Sequence, residues 1–316
     1  MVSTAPGPSS GMQRGCISSS RSTQTNAPSE QPRVTAIIVL YKSSISQSPT
    51  CISMRAQMAY NCSAISVLIY DNSPIANLDG LEPGWEYVSN PANEGLAAAY
   101  NYALSQAKLS GTQWLLLLDQ DSHLPENFLA NLQDEIERCR DNPKIAAIVP
   151  CVTSNRRQVS PIRPLLGLDR PYKLPGSAPS LWLMAINSAA AIRVSFMDSI
   201  GGFSKDFWLD YLDHWVFRKI YDTGHFVYVS NMRVEHNLSV ANFNQGLERS
   251  RYRGVLKAEA TFTNRCLPLH WRSLLVLRLV ARASKHVFFT RDKKIAQMML
   301  SAAYQQVLAI LFRQRN

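Results

Sequence analysis

The run Trp114-Leu115-Leu116-Leu117-Leu118-Asp119-Gln120-Asp121-Ser122 (WLLLLDQDS) decides the fold class. Consecutive large apolar residues leave no polar face, so the segment suits a strand covered on both sides. It stops on two carboxylates separated by one residue. In open α/β sheets, ligands bind beyond the carboxyl ends of the strands, which is where Asp119 and Asp121 fall. An Asp-x-Asp turn can present oxygens to a hard divalent cation. It can equally be a solvated turn whose second Asp caps the following helix.

Outward from this strand the pattern alternates. Val34–Tyr41 (VTAIIVLY) and Ile65–Tyr70 (ISVLIY) are β-branched apolar runs, and the second ends on the turn Asp71-Asn72-Ser73-Pro74. A helix-length segment, Ser46–Asn61, lies between them. Trp85–Ser89 predicts a short strand, Leu96–Leu109 an Ala-rich helix, Pro125–Arg140 another helix and Ile145–Val149 a further strand. Strands alternating with helices predict a largely parallel, Rossmann-like α/β sheet with helices on both faces. Beyond Ile186 the alternation breaks down, and from Leu267 the chain reads as helical. Residues 1–32, rich in Ser, Thr, Pro and Gln, bury too little to offset their ordering entropy and read as a disordered tail.

Over 316 residues, 46% hydrophobic and 18% charged composition excludes wholesale disorder. The net charge of +10 is uneven. From Arg249 to Asn316 fourteen Lys and Arg face two acids, Glu259 and Asp292, and the rest of the chain is slightly acidic. A basic block of this kind suits an anionic partner. No uninterrupted apolar run approaches the ~20 residues of a bilayer-spanning helix. No charged segment leads into an apolar stretch at the N-terminus, and the six cysteines (16, 51, 62, 139, 151, 266) show no metal-ligand spacing. Reduced thiols and a cytoplasmic location are the expectation.

Three further motifs carry candidate chemistry. Gly201–Arg218 (GGFSKDFWLDYLDHWVFR) is a double-glycine turn leading through aromatics into a helix, with Asp210 and Asp213 near its start. Acids there favour the helix dipole, and a carboxylate among aromatics can also act as a general base. His236, in Val234-Glu235-His236-Asn237, can be a core histidine or a third ligand beside the two acids. Asn93–Asn101 (NEGLAAAYN) opens a helix of small residues, which packs tightly or lets a phosphate approach.

In order and spacing, "VTAIIVLY", "VLIYDNSP", "NEGLAAAYNYAL", "WLLLLDQDS", "IGGFSKDFWLDYLDHWVFRK" and "VEHNLS" resemble the family 2 glycosyltransferases, and within them the bacterial rhamnosyltransferase-like branch. The resemblance covers roughly residues 33–260. It implies a GT-A domain over 33–265, with a nucleotide-sugar-binding half (33–121) and an acceptor half (122–265), followed by a basic amphipathic helical extension (266–316). By the same resemblance, Asp71 meets the base or ribose, and Asn93, Gly95 and Asn101 line the donor pocket. Tyr41, Asp119 and Trp215 complete the substrate-binding set. Asp119 and Asp121 hold Mg²⁺ or Mn²⁺ on the diphosphate with His236 as a further ligand. Asp213 matches the catalytic base, with Asp210 its neighbour and the alternative base. The chain departs from the branch in having His214-Trp215 after the base, and in a shorter interval to Arg218.

These implications describe a metal-dependent, inverting transfer of a sugar to a glycan or lipid-linked hydroxyl in cell-surface polysaccharide synthesis, and the resemblance to the rhamnosyltransferase-like branch offers rhamnose from dTDP-L-rhamnose as a donor. A sugar-nucleotide nucleotidyltransferase is the rival enzyme class, but the first strand runs into Tyr41-Lys42-Ser43-Ser44 without the glycines of a phosphate loop. A non-catalytic membrane-surface binder is the other rival. The tail interleaves its cations with Leu, Val, Ile and Met more than with aromatics, which favours a membrane surface over nucleic acid. Arg278, Arg282 and Lys285 share one helical face, and Ile295, Met298, Met299, Ala302, Val307, Ile310 and Leu311 form an apolar stripe. The expectation is peripheral docking on the inner face of the cytoplasmic membrane, or packing of these helices on the catalytic domain with a solvated basic face.

Overall fold

The computed structural model describes residues 34–59, 64–164, 169–178, 181–236, 249–290 and 293–313. The tail assigned to 1–32 lies outside them, as do Cys16, Cys62 and the Asn237 end of the last motif.

The chain begins with β1 (Val34–Leu40), α1 (Pro49–Met58), β2 (Ile65–Asp71), β3 (Glu86–Ser89), α2 (Leu96–Leu109) and β4 (Trp114–Asp119). Then come β5 (Ser122–His123), α3 (Phe128–Arg138), β6 (Ile145–Ser154), β7 (Arg157–Ser160), β8 (Ile162–Arg163), β9 (Arg170–Pro171) and β10 (Gly176–Ala178). The remainder is β11 (Ala190–Arg193), α4 (Val194–Ser199), α5 (Leu212–Asp222), β12 (Phe226–His236), α6 (Arg249–Cys266), α7 (Leu269–Lys285) and α8 (Lys293–Arg313).

The main sheet has the order β10-β12-β6-β11-β4-β1-β2-β3. Strands β4, β1, β2 and β3 are mutually parallel, as are β6 and β12, whereas β11 runs antiparallel between β4 and β6. The sheet is therefore mixed but mostly parallel, the α/β arrangement of a GT-A fold with C-terminal helices. Side chains alternate across it. Ile37, Val39, Leu115 and Leu117 join the core under α2, α4 and α5, while Ala36, Ile38, Leu116 and Leu118 join the opposite core under α1 and α3. Burial on both faces is why these strands carry no polar alternation.

Register positions the site. Val39 pairs with Asp119, and Leu40 with Asp71, so both acids stand at the carboxyl edge of the parallel half.

The helical C-terminus starts earlier than Leu267. Helix α6 begins at Arg249, and its Tyr252 and Leu256 share a core with Leu275 and Leu279 of α7 and Met299 of α8. Two expectations for this region change. Arg282 turns inward, one Nη2 donating to both oxygens of buried Glu259 (2.8 and 2.7 Å), so it is not part of a free basic face. By length and composition α8 is apolar enough to cross a membrane, although no uninterrupted apolar run announces it, because isolated polar residues interrupt the stretch.

Candidate active site

The Asp119–Ser122 turn is stitched to the N-terminus of α1. Ser48 caps that helix, accepting from the Cys51 N–H at 3.2 Å, and Pro49 occupies its first turn. The Ser48 hydroxyl donates to the Gln120 carbonyl (2.7 Å). The Thr50 hydroxyl donates to the Asp119 carbonyl and accepts from the Ser122 N–H (3.0 Å). Gln120 accepts from the Tyr41 N–H at 2.8 Å. Backbone and side chains of two strands and a helix thus hold the two carboxylates in place.

Backbone pairing delivers the third member. Strand β12 runs antiparallel to β5 with His236 opposite Ser122, although the two lie far apart in sequence. Ligand atoms of Asp119, Asp121 and His236 all lie within 4.8 Å of one another. His236 is buried, with Nδ1 3.5 Å from Asp121 Oδ1 and 3.0 Å from the Ser122 hydroxyl, and Nε2 4.0 Å from Asp119 Oδ2. Burial holds the Asp119 carboxyl above its ordinary range. The Ser188 hydroxyl donated to it and His236 oppose that rise, while Asp121 and Asp213 add to it. Carboxylates crowded beside an imidazole lack positive charge, and this donor set fits a divalent cation.

Beside this group opens a cavity of about 760 Å³. Tyr41, Asn93, Gly95, Asp119 and Asp210 of the predicted set line it, together with Asn72, Gln120 and Trp208. Its far wall is α6, through Arg251, Gly254, Lys257, Ala258 and Thr261. The indole of Trp208 donates to the Asn93 carbonyl (3.0 Å), and the Leu96 N–H donates to the Trp208 carbonyl (2.8 Å). Trp208 thus takes the Leu96 N–H at the start of α2, while Asn93, Gly95 and Leu96 themselves line the cavity. Gly95 has φ +88°, and a Cβ there would lie 2.2 Å from the Trp208 carbonyl oxygen, so the contact requires glycine.

Other predicted residues fall elsewhere. Asp71 is fully buried and holds its own turn, accepting from the Ser73 N–H (2.8 Å) and the Tyr87 hydroxyl (2.6 Å). Asn101 clamps the Gly202-Phe203 turn, donating to the Phe203 carbonyl and accepting from its N–H, each at 2.8 Å. Trp215 packs in the core on the inner side of α5. None of the three lines the cavity, because burial or backbone partners already use them.

The two candidate bases differ. Both oxygens of Asp210 are engaged by the Arg251 guanidinium, which ties the loop before α5 to α6. Asp213 lies in the first turn of α5, accepting through Oδ1 from the His214 N–H (2.7 Å), with His214 Nδ1 at 2.8 Å. Asp213 is not in the cavity wall, but its charge reaches Asp119 and the buried phenol of Tyr100. Arg251, Gly254, Ala258 and Thr261 escaped the sequence reading. Their signal is one helical face of small residues behind an arginine.

An Asp-x-Asp turn, an imidazole and a cavity thus meet at the carboxyl ends of the parallel strands, where open α/β sheets bind ligands. Residues 53–201 match the model described as Glycosyl transferase family 2. Two solved structures are similar to it over most of its length. One is S. aureus TarS 1-349, at 13% identity and TM-score 0.48, covering 90% of this chain and 92% of that one. The other is the mannosyltransferase PcManGT from Pyrobaculum calidifontis in complex with GDP-Man and Mn²⁺. It is 16% identical with TM-score 0.47, covering 89% of this chain and 88% of that one. No curated protein matches the sequence.

Proposed function

We propose that this protein is a metal-dependent, inverting glycosyltransferase, and that it moves a sugar from a nucleoside diphosphate donor to a hydroxyl of a glycan or lipid-linked acceptor. The observation that carries the reading is the Asp119–Asp121–His236 group, whose Asp119 lines the cavity. Asp119, Asp121 and His236 would hold Mg²⁺ or Mn²⁺ there, and the bound ion would supply positive charge against a departing diphosphate. Ser188 and Ser122 orient the ligands from behind, through Asp119 and His236. Tyr41 and Trp208 offer aromatic surface within the cavity for the donor. Asp213 takes the proton of the attacking hydroxyl. Attack on the face opposite the diphosphate inverts the anomeric centre.

The resemblance to the rhamnosyltransferase-like branch makes dTDP-L-rhamnose the first donor to try, with cell-surface polysaccharide as the product class. A cytoplasmic enzyme held at the inner membrane face accords with the basic C-terminal block and the apolar α8. The test is a thermal-shift and hydrolysis panel of nucleotide sugars with Mg²⁺ or Mn²⁺. One sugar nucleotide should stabilise the protein only when the ion is present. If no nucleotide sugar binds with either ion, or if EDTA leaves hydrolysis intact, the reading fails.

A further inference from the structure

The donor cavity does not end at α6. A second, open groove of about 560 Å³ runs between α6 and α8, and Lys257 and Thr261 belong to both walls. Its α6 side repeats at helical spacing from Arg253 to Arg265, a rise of about 18 Å. Leu256, Ala260, Met298 and Ala302 give it an apolar surface, and small side chains leave the room. Asn264 and Gln306 fix the two helices by reciprocal amide hydrogen bonds of 3.0 and 2.7 Å.

The charges of the groove have one sign. Arg253, Lys257 and Arg265 line it, and no carboxylate does. Arg265 is paired with Asp206, which belongs to the cavity wall and so sits at the same junction. Lys257 is exposed and makes no ion pair among the described residues. A hydrocarbon channel that meets a catalytic cavity at a lysine suits one molecule with an apolar tail and an anionic head. The volume lies within the range that encloses a single ligand, which favours one lipid chain over the face of a bilayer.

We propose that the α6–α8 groove holds the hydrocarbon tail of a lipid phosphate-linked acceptor, with Lys257 on its phosphate and its sugar end directed into the cavity. This rests on the transferase reading above and deepens it by naming the acceptor class. Each buried methylene tightens binding about fourfold, so tail length should dominate affinity.

The test uses the full-length protein and farnesyl phosphate as probe, with farnesol and inorganic phosphate as controls. Farnesyl phosphate should bind at least tenfold more tightly than either control. Ala302→Phe, which fills the groove, and Ala309→Trp, at an exposed position on its wall, should each weaken binding at least tenfold. Lys257→Gln should weaken farnesyl phosphate but not farnesol. Equal binding of farnesol, or unchanged binding by the folded Ala309→Trp protein, overturns the proposal. So does loss of phosphatidylglycerol-vesicle binding or of a dimer in these variants with farnesyl phosphate binding intact, which assigns the groove to a bilayer or to a second copy. Binding of a nucleoside diphosphate with Mn²⁺ is measured alongside. Its absence overturns the transferase reading, whereas the farnesyl phosphate result alone decides the groove.

Discussion

Asp210 gives both oxygens to Arg251, whereas Asp213 keeps Oδ2 without a partner among the described residues. Free lone pairs are what a general base needs, so the two acids divide by surroundings and not by chemistry. Asp213→Asn should lower the transfer rate by about 10²–10⁴-fold with donor affinity retained, as measured by steady-state kinetics and calorimetry. Asp210→Asn should instead lower the melting temperature, because Arg251 loses its partner. If the rate loss follows Asp210 and Asp213→Asn stays active, the roles are reversed. Asp121→Asn removes a charged ligand from a half-buried position and should abolish ion-dependent donor binding while the protein remains folded. Near wild-type transfer by that variant would contradict the metal assignment. A sequence alone does not separate such neighbours: Asp210 and Asp213 occupy equally plausible places in one motif, and the guanidinium that distinguishes them comes from α6.

At the scale of elements, α3 was readable from the periodic burial of Leu129, Leu132 and Ile136, and α2, whose buried residues are mostly alanines, falls on Leu96–Leu109 as predicted. Helix α6 was not readable. One of its faces is a cavity wall, where Gly254, Ala258 and Thr261 stand in place of large apolar residues, so the hydrophobic repeat is diluted. The carboxylate turn was legible from Asp119 and Asp121, whereas the position of His236 depends on a strand register no local pattern encodes. Asn101 misled for the opposite reason, since a polar residue on a small-residue helix looks like a ligand contact until its backbone partner is seen. The Glu259–Arg282 pair joins α6 to α7, and Glu259 is 4% exposed. Arg282→Gln leaves that carboxylate buried and alone. The usual cost is about 3–5 kcal/mol, reduced here to about 2–3 because the guanidinium is over a third exposed. Urea denaturation should show that loss, and no change in midpoint would mean the pair is solvated.

At the scale of the molecule, alkaline pH should expose the cost of closing the core under α1 and α3. Cys51 and Cys139 are free thiols with almost no exposure, and burial pushes both up to about 11. Unfolded thiols ionise near pH 8.5, so between there and pH 11 the unfolded chain holds fewer protons than the folded one. Stability therefore falls as pH rises through that window and is unaffected by these groups below it. Tyr87, pushed up to about 12 by burial and then by its hydrogen bond to Asp71, acts in the same direction. Denaturation midpoints at pH 7.5 and 10 test this, and iodoacetamide at pH 8.5 should label Cys51 and Cys139 only after unfolding. Rapid native labelling of either would show that its core opens.

The segment matching the family model stops at residue 201, but the site does not. Asp119 and Asp121 lie inside it, whereas Asp213, His236 and the α6 wall lie beyond it. A chimera that exchanges residues 53–201 between two relatives would thus inherit two carboxylates from one parent and the imidazole, the proposed base and the far wall from the other. On the proposed reading, transplanting donor preference requires a crossover past Thr261, and screens that recombine the matched segment alone will sample mismatched halves of the candidate site.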